Sequence, residues 1–324
     1  MAKKTVFVTG GAGFIGSQVN QLLHDKGYET IVYDNLSAGN ANVVLTGRLI
    51  EGDINDKRKL SDIFRNHKFD AVMHFAALRD VGESMIDPAK YYRNNVCGSL
   101  CLLEAMLDNG IKNLIFSSSA AVYGIPEKEA IKETDPCRPI NPYGQTKLIV
   151  EDILKDYCAA YNLNFTALRY FNAAGGDPQG RIPYYTRYEG NLIPIILNSI
   201  IESLPVTING VDYPTKDGTC VRDYVHVADL AEAHILAMEK LFKDGGGTCY
   251  NLGNGEGFSI LDVLAAAEKT TGKPVNRIEG ARRAGDPPVL LADSTKARKE
   301  LHWQPRYPKL ETIIEHAWQA RREL

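Results

Sequence analysis

Short runs of hydrophobic residues alternate with longer segments in which apolar residues recur every three or four positions. Short apolar runs are typical of buried strands, whereas the longer spacing is typical of helices that cover a sheet. The runs predict strands at Thr5–Thr9, Glu29–Asp34, Arg48–Asp53, Ala71–Ala76, Asn113–Ser119 and Asn164–Asn172. The helical spacing predicts helices at Ser17–Gly27, Lys57–Lys68, Tyr92–Asn109 and Tyr143–Asn162.

This strand–helix alternation predicts an α/β fold with a Rossmann-type, doubly wound parallel sheet. After Asn172 the chain becomes rich in Gly, Pro, Tyr and Arg, and helices are predicted at Ile193–Ser203 and Val227–Phe242. A strand at Cys249–Leu252 is expected to return to the first sheet. We therefore expect a dinucleotide-binding domain at 1–172, with 225–255 returning to it, and a smaller C-terminal α/β substrate lobe formed by 173–224 and 256–324.

Composition narrows the class of protein. The formal net charge is −3 without a basic run, which argues against a nucleic-acid partner. The sequence predicts no membrane association, because no apolar run reaches membrane-spanning length and the N-terminus lacks a signal-peptide core. The six cysteines form no CxxC pair and favour reduced thiols, so we expect a cytoplasmic protein with no metal site.

The stretch TGGAGFIG, Thr9–Gly16, follows the first predicted strand and opens the first predicted helix. Glycines in this context allow a tight turn and a close approach of the backbone to a diphosphate at the helix N-terminus. The alternative is a structural Gly-rich turn. The predicted cofactor-contacting glycines of this loop are Gly10, Gly13 and Gly16.

Asp34 ends the second predicted strand, about 20 residues beyond the glycine loop. A carboxylate there accepts hydrogen bonds from ribose hydroxyls and repels a 2′-phosphate, and no arginine follows immediately, so the pattern predicts NAD rather than NADP. The alternative is a surface acid. Asp53 is placed either against the adenine or as the cap of the next helix. The predicted cofactor site also includes Asn35, Leu36, Ser37 and Ile54.

Tyr143 and Lys147, in NPYGQTK, lie four residues apart and therefore on one helix face. Ser119 ends a predicted strand, at the sheet edge where parallel sheets bind ligands. A free phenol titrates near ~10, and a nearby ammonium and an oxidised nicotinamide both favour the phenolate. Tyr143 is thus a candidate base, Ser119 a hydrogen-bond partner of the same substrate oxygen, and Lys147 a partner of the phenolate and the nicotinamide ribose.

Five stretches, TGGAGFIG, HFAA, SSSAAVYG, NPYGQTK and RYFNAAG, together resemble the extended short-chain dehydrogenase/reductase family. LRDVGES, GNLIP, NGVDYPTKDGTCVRDYVHV, YNLGNGEGFS and RRAGDPP narrow the resemblance to the UDP-glucose 4-epimerase family over nearly the whole chain. The resemblance implies a bound NAD, transient oxidation at sugar C4, rotation of the 4-keto sugar and hydride return. The implied reaction interconverts UDP-galactose and UDP-glucose.

The resemblance also assigns residues to each ligand. It implies that Tyr143 is the base, with Lys147 and Ser119 as its partners. Cofactor contacts are implied for Phe14, Ile15, Asp34, Asp53, Ile54, Phe75, Ala76, Ala77, Leu78, Arg79, Asn94 and Phe171. UDP-sugar contacts are implied for Ser119, Tyr143, Asn172, Asn191, Leu192, Thr207, Ile208, Asn209, Arg222, Arg283 and Asp286.

Two positions depart from the family pattern. Arg79 stands where lysine is common, and Leu290 lies where side-chain size is thought to decide whether N-acetylated sugars fit. We expect mainly UDP-glucose and UDP-galactose as substrates. The resemblance also implies a homodimer, in which Tyr92–Asn109 and Tyr143–Asn162 are the candidate pairing helices; ordinary packing on the sheet is the alternative for both.

Other functions remain open at this point. A 4,6-dehydratase would need an acid pair at Ala120 and Ala121. An epimerase or decarboxylase acting on UDP-glucuronate would need a partner for the sugar carboxylate, and Arg181 and Arg187 have no assigned role. Acceptance of UDP-N-acetylhexosamines is a third possibility. A non-catalytic NAD-binding sensor belongs to a different class, and the presence of Ser119, Tyr143 and Lys147 argues against it.

Overall fold

The described residues, 3–184, 190–283 and 286–322 of this computed structural model, form fourteen strands and eleven α-helices. The strands are β1 (Thr5–Thr9), β2 (Glu29–Asp34), β3 (Arg48–Glu51), β4 (Ala71–His74), β5 (Asn113–Ser119), β6 (Ala130–Ile131), β7 (Asn164–Tyr170), β8 (Asn172–Ala174), β9 (Val206–Asn209), β10 (Val221–His226), β11 (Gly247–Leu252), β12 (Gly257–Ser259), β13 (Arg277–Gly280) and β14 (Val289–Ala292).

The helices pack against the sheets and against one another. They are α1 (Phe14–Asp25), α2 (Lys57–Asn66), α3 (Val81–Ile86), α4 (Pro88–Tyr91), α5 (Gly98–Asp108), α6 (Pro142–Tyr161), α7 (Leu192–Glu202), α8 (Val227–Asp244), α9 (Ile260–Thr271), α10 (Thr295–Glu300) and α11 (Leu310–Arg322). None of the helices in the described part of the chain combines the length and the apolar character needed to span a membrane.

A seven-stranded parallel sheet with the order β11-β7-β5-β4-β1-β2-β3 forms the centre of the molecule. Alternate residues of β1 point to opposite faces: Val6 and Val8 belong to one buried cluster and Phe7 to another. Helices α1 and α8 pack together on the first face, and α2 and α5 on the second. The prediction of a Rossmann-type doubly wound sheet is confirmed.

The strand order reverses direction between β1 and β4, which are neighbours although β2 and β3 separate them in the chain. Such a switch point leaves a crevice at the carboxyl ends of the two strands, because the connections leave on opposite faces. The glycine loop follows β1, and Phe75 to Arg79 follow β4. The topology therefore brings two predicted cofactor segments together.

A second sheet with the order β12-β10-β14-β6, in which β8 also pairs with β10, combines strands from both sides of the irregular segment after Asn172. Helices α7, α9 and α11 enclose its own buried cluster, which includes Ile196, Val263 and Ile313. From β10 the chain enters α8 and then β11, which pairs in parallel with β7 at the edge of the large sheet.

The strands predicted at Arg48–Asp53 and Ala71–Ala76 end earlier than expected, at Glu51 and His74. Two further elements differ in kind from the sequence expectations. The segment predicted as one helix, Tyr92–Asn109, begins with π-helical turns over Tyr92–Cys97 before α5 starts. The strand predicted at Asn164–Asn172 ends at Tyr170, and Asn172–Ala174 pairs with β10 in the second sheet. Hydrophobic spacing cannot show either change, because both depend on which neighbours accept the backbone hydrogen bonds.

Candidate active site

A cavity of about 900 Å³ lies at the carboxyl ends of the parallel strands and reaches the second sheet. Its wall brings together most of the residues predicted from the sequence: Gly10, Gly13, Phe14, Ile15, Gly16, Asp34, Asn35, Ser37, Ile54, Phe75, Ala76, Ala77, Leu78, Arg79, Asn94, Ser119, Tyr143, Lys147, Phe171, Asn172, Asn191, Arg222 and Asp286. The predicted positions Leu36, Asp53, Leu192, Thr207, Ile208, Asn209 and Arg283 lie outside the wall.

The glycine loop makes a turn in which side chains would not fit. Gly10 has a φ of +72°, and a Cβ there would lie 2.5 Å from the backbone nitrogen of Ala76. A Cβ on Gly16 would lie 2.3 Å from the carbonyl oxygen of Gly10. Helix α1 begins directly after Gly13, whose position provides no side-chain cap, so the first N–H groups of the helix face the cavity wall.

Asp34 is 8% exposed and accepts hydrogen bonds from the backbone nitrogens of Ala12 at 3.0 Å and Leu36 at 2.9 Å. Burial raises the pKa of Asp34, and the two N–H donors oppose that shift. Leu36 adopts a left-handed φ of 57°, which turns the chain back toward the carboxylate. The carboxylate is therefore held rigidly in the wall of the cavity.

Asp53 lies beside this segment and accepts from the Asn35 side-chain nitrogen at 3.1 Å and from the Asn55 backbone nitrogen at 2.8 Å. Although burial opposes the shift, the hydrogen bonds from Asn55 and Asn35 lower the pKa of Asp53. The cap of helix α2 is Asp56, whose side chain accepts from the Lys59 nitrogen. Asp53 thus braces the loops after β2 and β3, and it does not cap α2.

The base cluster, defined as Ser119, Tyr143 and Lys147, forms where β5 ends and α6 begins. The Asn141 side chain caps α6 by accepting from the Gly144 nitrogen at 2.8 Å, and Pro142 occupies the first helical turn. Tyr143 hydrogen-bonds Ser119, the last residue of β5. One helical turn later, the Lys147 Nζ lies 5.9 Å from the centroid of the Tyr143 ring.

Lys147 is 4% exposed, and its Nζ donates to the carbonyl oxygen of Ser117 at 2.7 Å. Burial lowers the pKa of Lys147 to about 7, although Glu151 opposes the shift. Burial raises the pKa of Tyr143, while the Ser119 hydrogen bond and the Arg79 charge lower it. Arg79 is therefore a second positive group near the Tyr143 phenol, in addition to Lys147. Its influence on Tyr143 was not predicted from the sequence.

Several residues near the base cluster were missed by the sequence analysis. Tyr170 lines the cavity and hydrogen-bonds the Ser117 hydroxyl. Glu151 and Arg169 form an ion pair whose side chains are only 1% and 4% exposed. Glu151 follows Lys147 by four residues, and this spacing is the one sequence feature that would have suggested it.

The arginine cluster, defined as Arg222, Arg283 and Asp286, lies on the second-sheet side. Arg222 is on β10, and its guanidinium donates to the carbonyls of Val221 and Pro287, both at 2.9 Å. Its Nη2 lies 3.4 Å from the Asp286 carboxylate. The Arg222 and Asp286 side chains are 13% and 38% exposed, so this part of the cavity is open to solvent.

Arg283 contacts Asn209 at the end of β9. With the Asn209 amide oriented to satisfy both groups, its oxygen accepts from Arg283 Nε at 3.1 Å. β9 pairs with β13 in a separate two-stranded sheet, in which Ile208 is 2% exposed and packs in the cluster under α7, α9 and α11, whereas the neighbouring Thr207 is exposed. Any ligand contact in this segment therefore falls to Thr207, Asn209 and the backbone of Ile208.

Asn191 and Leu192 begin α7, where Asn191 is exposed and Leu192 packs against the core of the second sheet. Residue 187, the arginine without an assigned role in the sequence, lies outside the described residues. The other unassigned arginine, Arg181, pairs with Asp177 at 2.8 Å and with Asp25 at 2.9 Å. In the described ranges, no three His, Cys, Asp or Glu side chains are grouped to hold a metal ion.

Comparisons with known proteins agree with this arrangement. The chain matches the NAD dependent epimerase/dehydratase family over residues 6–253. It is 48% identical to the UDP-glucose 4-epimerase of Halalkalibacterium halodurans, over 98% of this chain and 96% of that protein.

Two solved structures extend the similarity to three dimensions. The UDP-glucose 4-epimerase of Brucella ovis in complex with NAD has a TM-score of 0.95 and 47% identity, covering 97% of both chains. The Bifidobacterium longum enzyme in complex with NAD+ and UDP has a TM-score of 0.93 and 37% identity, covering 99% of this chain and 98% of that chain. The family resemblance noted in the sequence is thereby confirmed. The chain belongs to the NAD dependent epimerase/dehydratase family.

Proposed function

We propose that the protein is an isomerase that interconverts UDP-galactose and UDP-glucose by transient oxidation at sugar C4. The observation that carries this proposal is the shared cavity: the glycine loop, the base cluster and Arg222 all line one cavity of about 900 Å³. A dinucleotide and a nucleotide sugar together need a large site, and a single base positioned between them provides proton transfer at one carbon. The named relatives support the same substrates.

The residues present fit an NAD cofactor. Gly10 and Gly16 leave no room for side chains where a diphosphate would approach the start of α1. The Asp34 carboxylate is fixed by two backbone donors and is suited to accept from ribose hydroxyls. In this site Phe14, Ile15, Ile54, Asn94 and Phe171 would form the remaining contacts. Bound NAD supplies a hydride acceptor that later returns the hydride, so turnover causes no net redox change.

Tyr143 carries the proton transfer. Its phenolate takes the proton of the sugar 4-hydroxyl during oxidation and returns it when the 4-keto sugar is reduced on its other face. Ser119 hydrogen-bonds the same oxygen and keeps it within reach of the phenol. Burial raises the pKa of Tyr143, and the Ser119 hydrogen bond and the Arg79 guanidinium lower it. A charged Lys147, whose Nζ lies 5.9 Å from the centroid of the Tyr143 ring, would favour the phenolate further.

The arginine cluster binds the nucleotide part of the substrate. A guanidinium presents a planar fork that matches a diphosphate, and the Asp286 carboxylate suits the uridine ribose hydroxyls. Arg222 is already held by the Val221 and Pro287 carbonyls, so little side-chain entropy is lost when it binds. Anchoring the nucleotide while leaving the hexose loosely held allows the 4-keto sugar to rotate. Asn172, Asn191 and the Thr207–Asn209 segment complete this side.

Substrate choice depends on the cavity wall near the hexose. Leu290 lines the cavity and is the register partner of Arg222 across β10 and β14. Its intermediate size favours UDP-glucose and UDP-galactose over UDP-N-acetylhexosamines. For UDP-glucuronate, one candidate carboxylate partner, Arg181, is already paired with two aspartates.

The experiment that tests the proposal is a coupled assay of the purified protein with UDP-galactose and no added NAD. Formation of UDP-glucose is expected, because the cofactor remains bound and is regenerated. Dependence on free NAD with net formation of NADH would indicate a dehydrogenase and overturn the proposal. Parallel assays with UDP-N-acetylglucosamine and UDP-glucuronate test the substrate range, and equal rates with either one would contradict the preference stated here.

The proposed function also fits a division into two lobes. Residues 1–172 with 225–255 would bind NAD, and 173–224 with 256–324 would bind the UDP-sugar.

We further propose a cytoplasmic homodimer. All six cysteines are unpaired thiols, which supports the cytoplasm, and helix α6 carries the half-exposed Tyr161 on a candidate pairing surface. Light scattering of the purified protein distinguishes a dimer from a monomer.

A further inference from the structure

The proposed reaction does not by itself account for the buried ion pair behind the base cluster. Arg169 Nε donates to Glu151 Oε1 at 2.9 Å and to Oε2 at 3.2 Å, and its Nη2 also donates to Oε2. Both side chains are almost fully excluded from solvent. Desolvating two charges is costly, and a buried pair adds little to stability compared with apolar residues of the same size. The Glu151–Arg169 pair is therefore expected to serve a role other than stability.

The position of Glu151 links it to the base cluster. Glu151 lies one helical turn after Lys147, so both side chains leave the same face of α6. Lys147 Nζ donates to the Ser117 carbonyl at 2.7 Å, and the Ser118 hydroxyl donates to Glu151 Oε1 at 2.5 Å. The cation and the carboxylate thus attach to consecutive residues of β5, immediately before the strand ends at Ser119.

The same network holds the turn that follows Ser119. Arg169 is the register partner of Ser118 across β5 and β7, and its Nη1 donates to the Tyr123 hydroxyl at 2.8 Å. The Tyr123 hydroxyl in turn donates to the Asn251 side chain on β11 at 2.7 Å. Both ends of the segment that carries Ser119 are therefore tied to the Glu151–Arg169 pair.

We propose that Glu151 is a positioning residue for this reaction: it keeps Lys147 charged beneath Tyr143 and fixes the end of β5 that carries Ser119. The proposal rests on the proposed function. Burial alone would drive the lysine toward its neutral amine, and an adjacent carboxylate opposes that change. The pKa of Lys147 is held at about 7 under these opposing influences, so its charge at neutral pH is sensitive to the loss of Glu151.

Other charged and titratable groups surround Tyr143 and Lys147. They are His74 on β4, Arg79 after β4, Glu151 on α6, and Arg169 and Tyr170 on β7. Burial, with the charge of Lys147, lowers the pKa of His74 to about 3, so this ring is neutral at working pH. Glu151 is the one carboxylate in this set. Its negative charge interacts with both Arg169 and Lys147, so the two cations compete for this interaction.

That competition leads to opposite predictions for two single variants. Glu151→Gln removes the carboxylate, so the acid limb of the kcat–pH profile should move upward by about one pH unit, with about tenfold less phenolate below the new midpoint. Arg169→Gln leaves Glu151 to act on Lys147 alone, so the acid limb should stay or move downward. The KM for UDP-galactose should change little in either variant, because neither residue lines the cavity.

Removing half of a buried pair risks misfolding, so a third variant is needed. The double variant Glu151→Gln/Arg169→Gln leaves no unpaired guanidinium or carboxylate, and it should reproduce the upward shift with a native circular dichroism spectrum. Asp152→Asn is the matched control: Asp152 is the next residue of α6, pairs with Lys155 and is 60% exposed. Its profile should match the unmodified protein.

A second readout does not depend on turnover. Phenolate absorbance of the NAD-loaded protein, titrated with pH after subtraction of the Tyr143→Phe variant, reports Tyr143 directly. Its midpoint should move upward in Glu151→Gln and in the double variant. If all variants lose activity equally with unchanged midpoints, the network is only structural and the proposal is overturned. If the unmodified protein lacks epimerase activity but the absorbance midpoints still shift as stated, the reaction is wrong and the link between Glu151 and Lys147 stands.

Discussion

The base cluster and two members of the arginine cluster, Arg222 and Asp286, line the same cavity, but the surroundings of the two clusters differ. Lys147 is 4% exposed, its Nζ donates to a backbone carbonyl, and the charge of Glu151 on the same helix opposes the effect of burial on its pKa. Arg222 and Asp286 are 13% and 38% exposed, and their ion pair spans 3.4 Å at an open rim. Proton transfer therefore depends on the enclosed side of the cavity, where burial, close charges and hydrogen bonds together shift pKa values, whereas recognition of a soluble anion tolerates solvent.

The largest effect is expected when the base cluster loses the Tyr143 hydroxyl. Tyr143→Phe should lower kcat by about 10²–10⁴-fold, because general acid–base catalysis contributes roughly that factor. Binding of NAD should persist, since the ring remains in place. Steady-state assays and cofactor content of the purified protein measure both quantities.

Tyr28→Phe is the control and should leave kcat unchanged, because the Tyr28 hydroxyl bonds Glu239 at the protein surface and does not line the cavity. If Tyr143→Phe retains normal turnover, Tyr143 is not the base, and the contrast between the two clusters fails. A protein acting only as an NAD sensor would also tolerate this change.

The next effect concerns the open rim. Arg222→Gln should raise the KM for UDP-galactose by roughly 10–100-fold, because a hydrogen bond to a charged group is worth about 1.5–3 kcal/mol. The kcat at saturating substrate should change far less, since Arg222 lies away from the reacting carbon. Arg65→Gln, a 65% exposed arginine on α2, serves as the control. An equal fall in kcat and kcat/KM would mean that Arg222 acts in the transition state instead.

A smaller effect is expected at the glycine-loop side of the cavity. Asp34→Asn should weaken NAD binding by about tenfold and narrow the preference for NAD over NADP, because the amide has one acceptor oxygen and no repulsive charge. Fluorescence titration of cofactor-free protein with each dinucleotide measures the two affinities. Asp62→Asn, on exposed helix α2, is the control. An unchanged preference would place the ribose elsewhere.

The smallest effect at working pH concerns stability and not catalysis. Burial lowers the pKa of His74 and His226 to about 3 and that of His234 to about 4, against about 6.5 in an unfolded chain. The unfolded state therefore binds more protons below pH ~6.5, and stability should decrease as the pH falls from ~6.5 toward ~4. Thermal unfolding of the ligand-free protein across this range measures the slope.

His234→Gln removes one of the three titrating groups and should flatten that slope. The His234 ring donates through Nδ1 to the Leu230 carbonyl at 2.7 Å, and the buried Nε2 has no partner among the described residues. An amide in its place carries no titratable proton. A slope identical to that of the unmodified protein would show that His234 does not titrate between the two states.

Local patterns were enough to predict much of the fold. The ranges Thr5–Thr9, Glu29–Asp34 and Asn113–Ser119 were predicted to be strands, and each agrees residue by residue with the structure. The helix predicted at Tyr143–Asn162 also corresponds to α6, which spans Pro142–Tyr161. These predictions succeeded because the information that decides them lies within a few neighbouring residues.

Contacts between distant segments were not predictable in this way. The end of β7 at Tyr170 and the switch of Asn172 into another sheet depend on β10, about fifty residues away. The Glu151–Arg169 pair and the position of Arg79 near Tyr143 likewise depend on how helices and strands stack. Burial decides which ionisable groups have shifted pKa values, and the burial of a side chain depends on several segments of the chain at once.

The sequence by itself therefore determined the dinucleotide-binding sheet and the glycine loop with its acid, and it predicted a candidate base with its lysine, because each rests on short-range spacing. Only the tertiary structure decided that burial raises the pKa of Tyr143 and lowers the pKa of Lys147 to about 7, and that Glu151 opposes the shift at Lys147. The physical reason is that spacing sets which groups share a face, whereas desolvation and charge coupling depend on what the rest of the chain packs against that face.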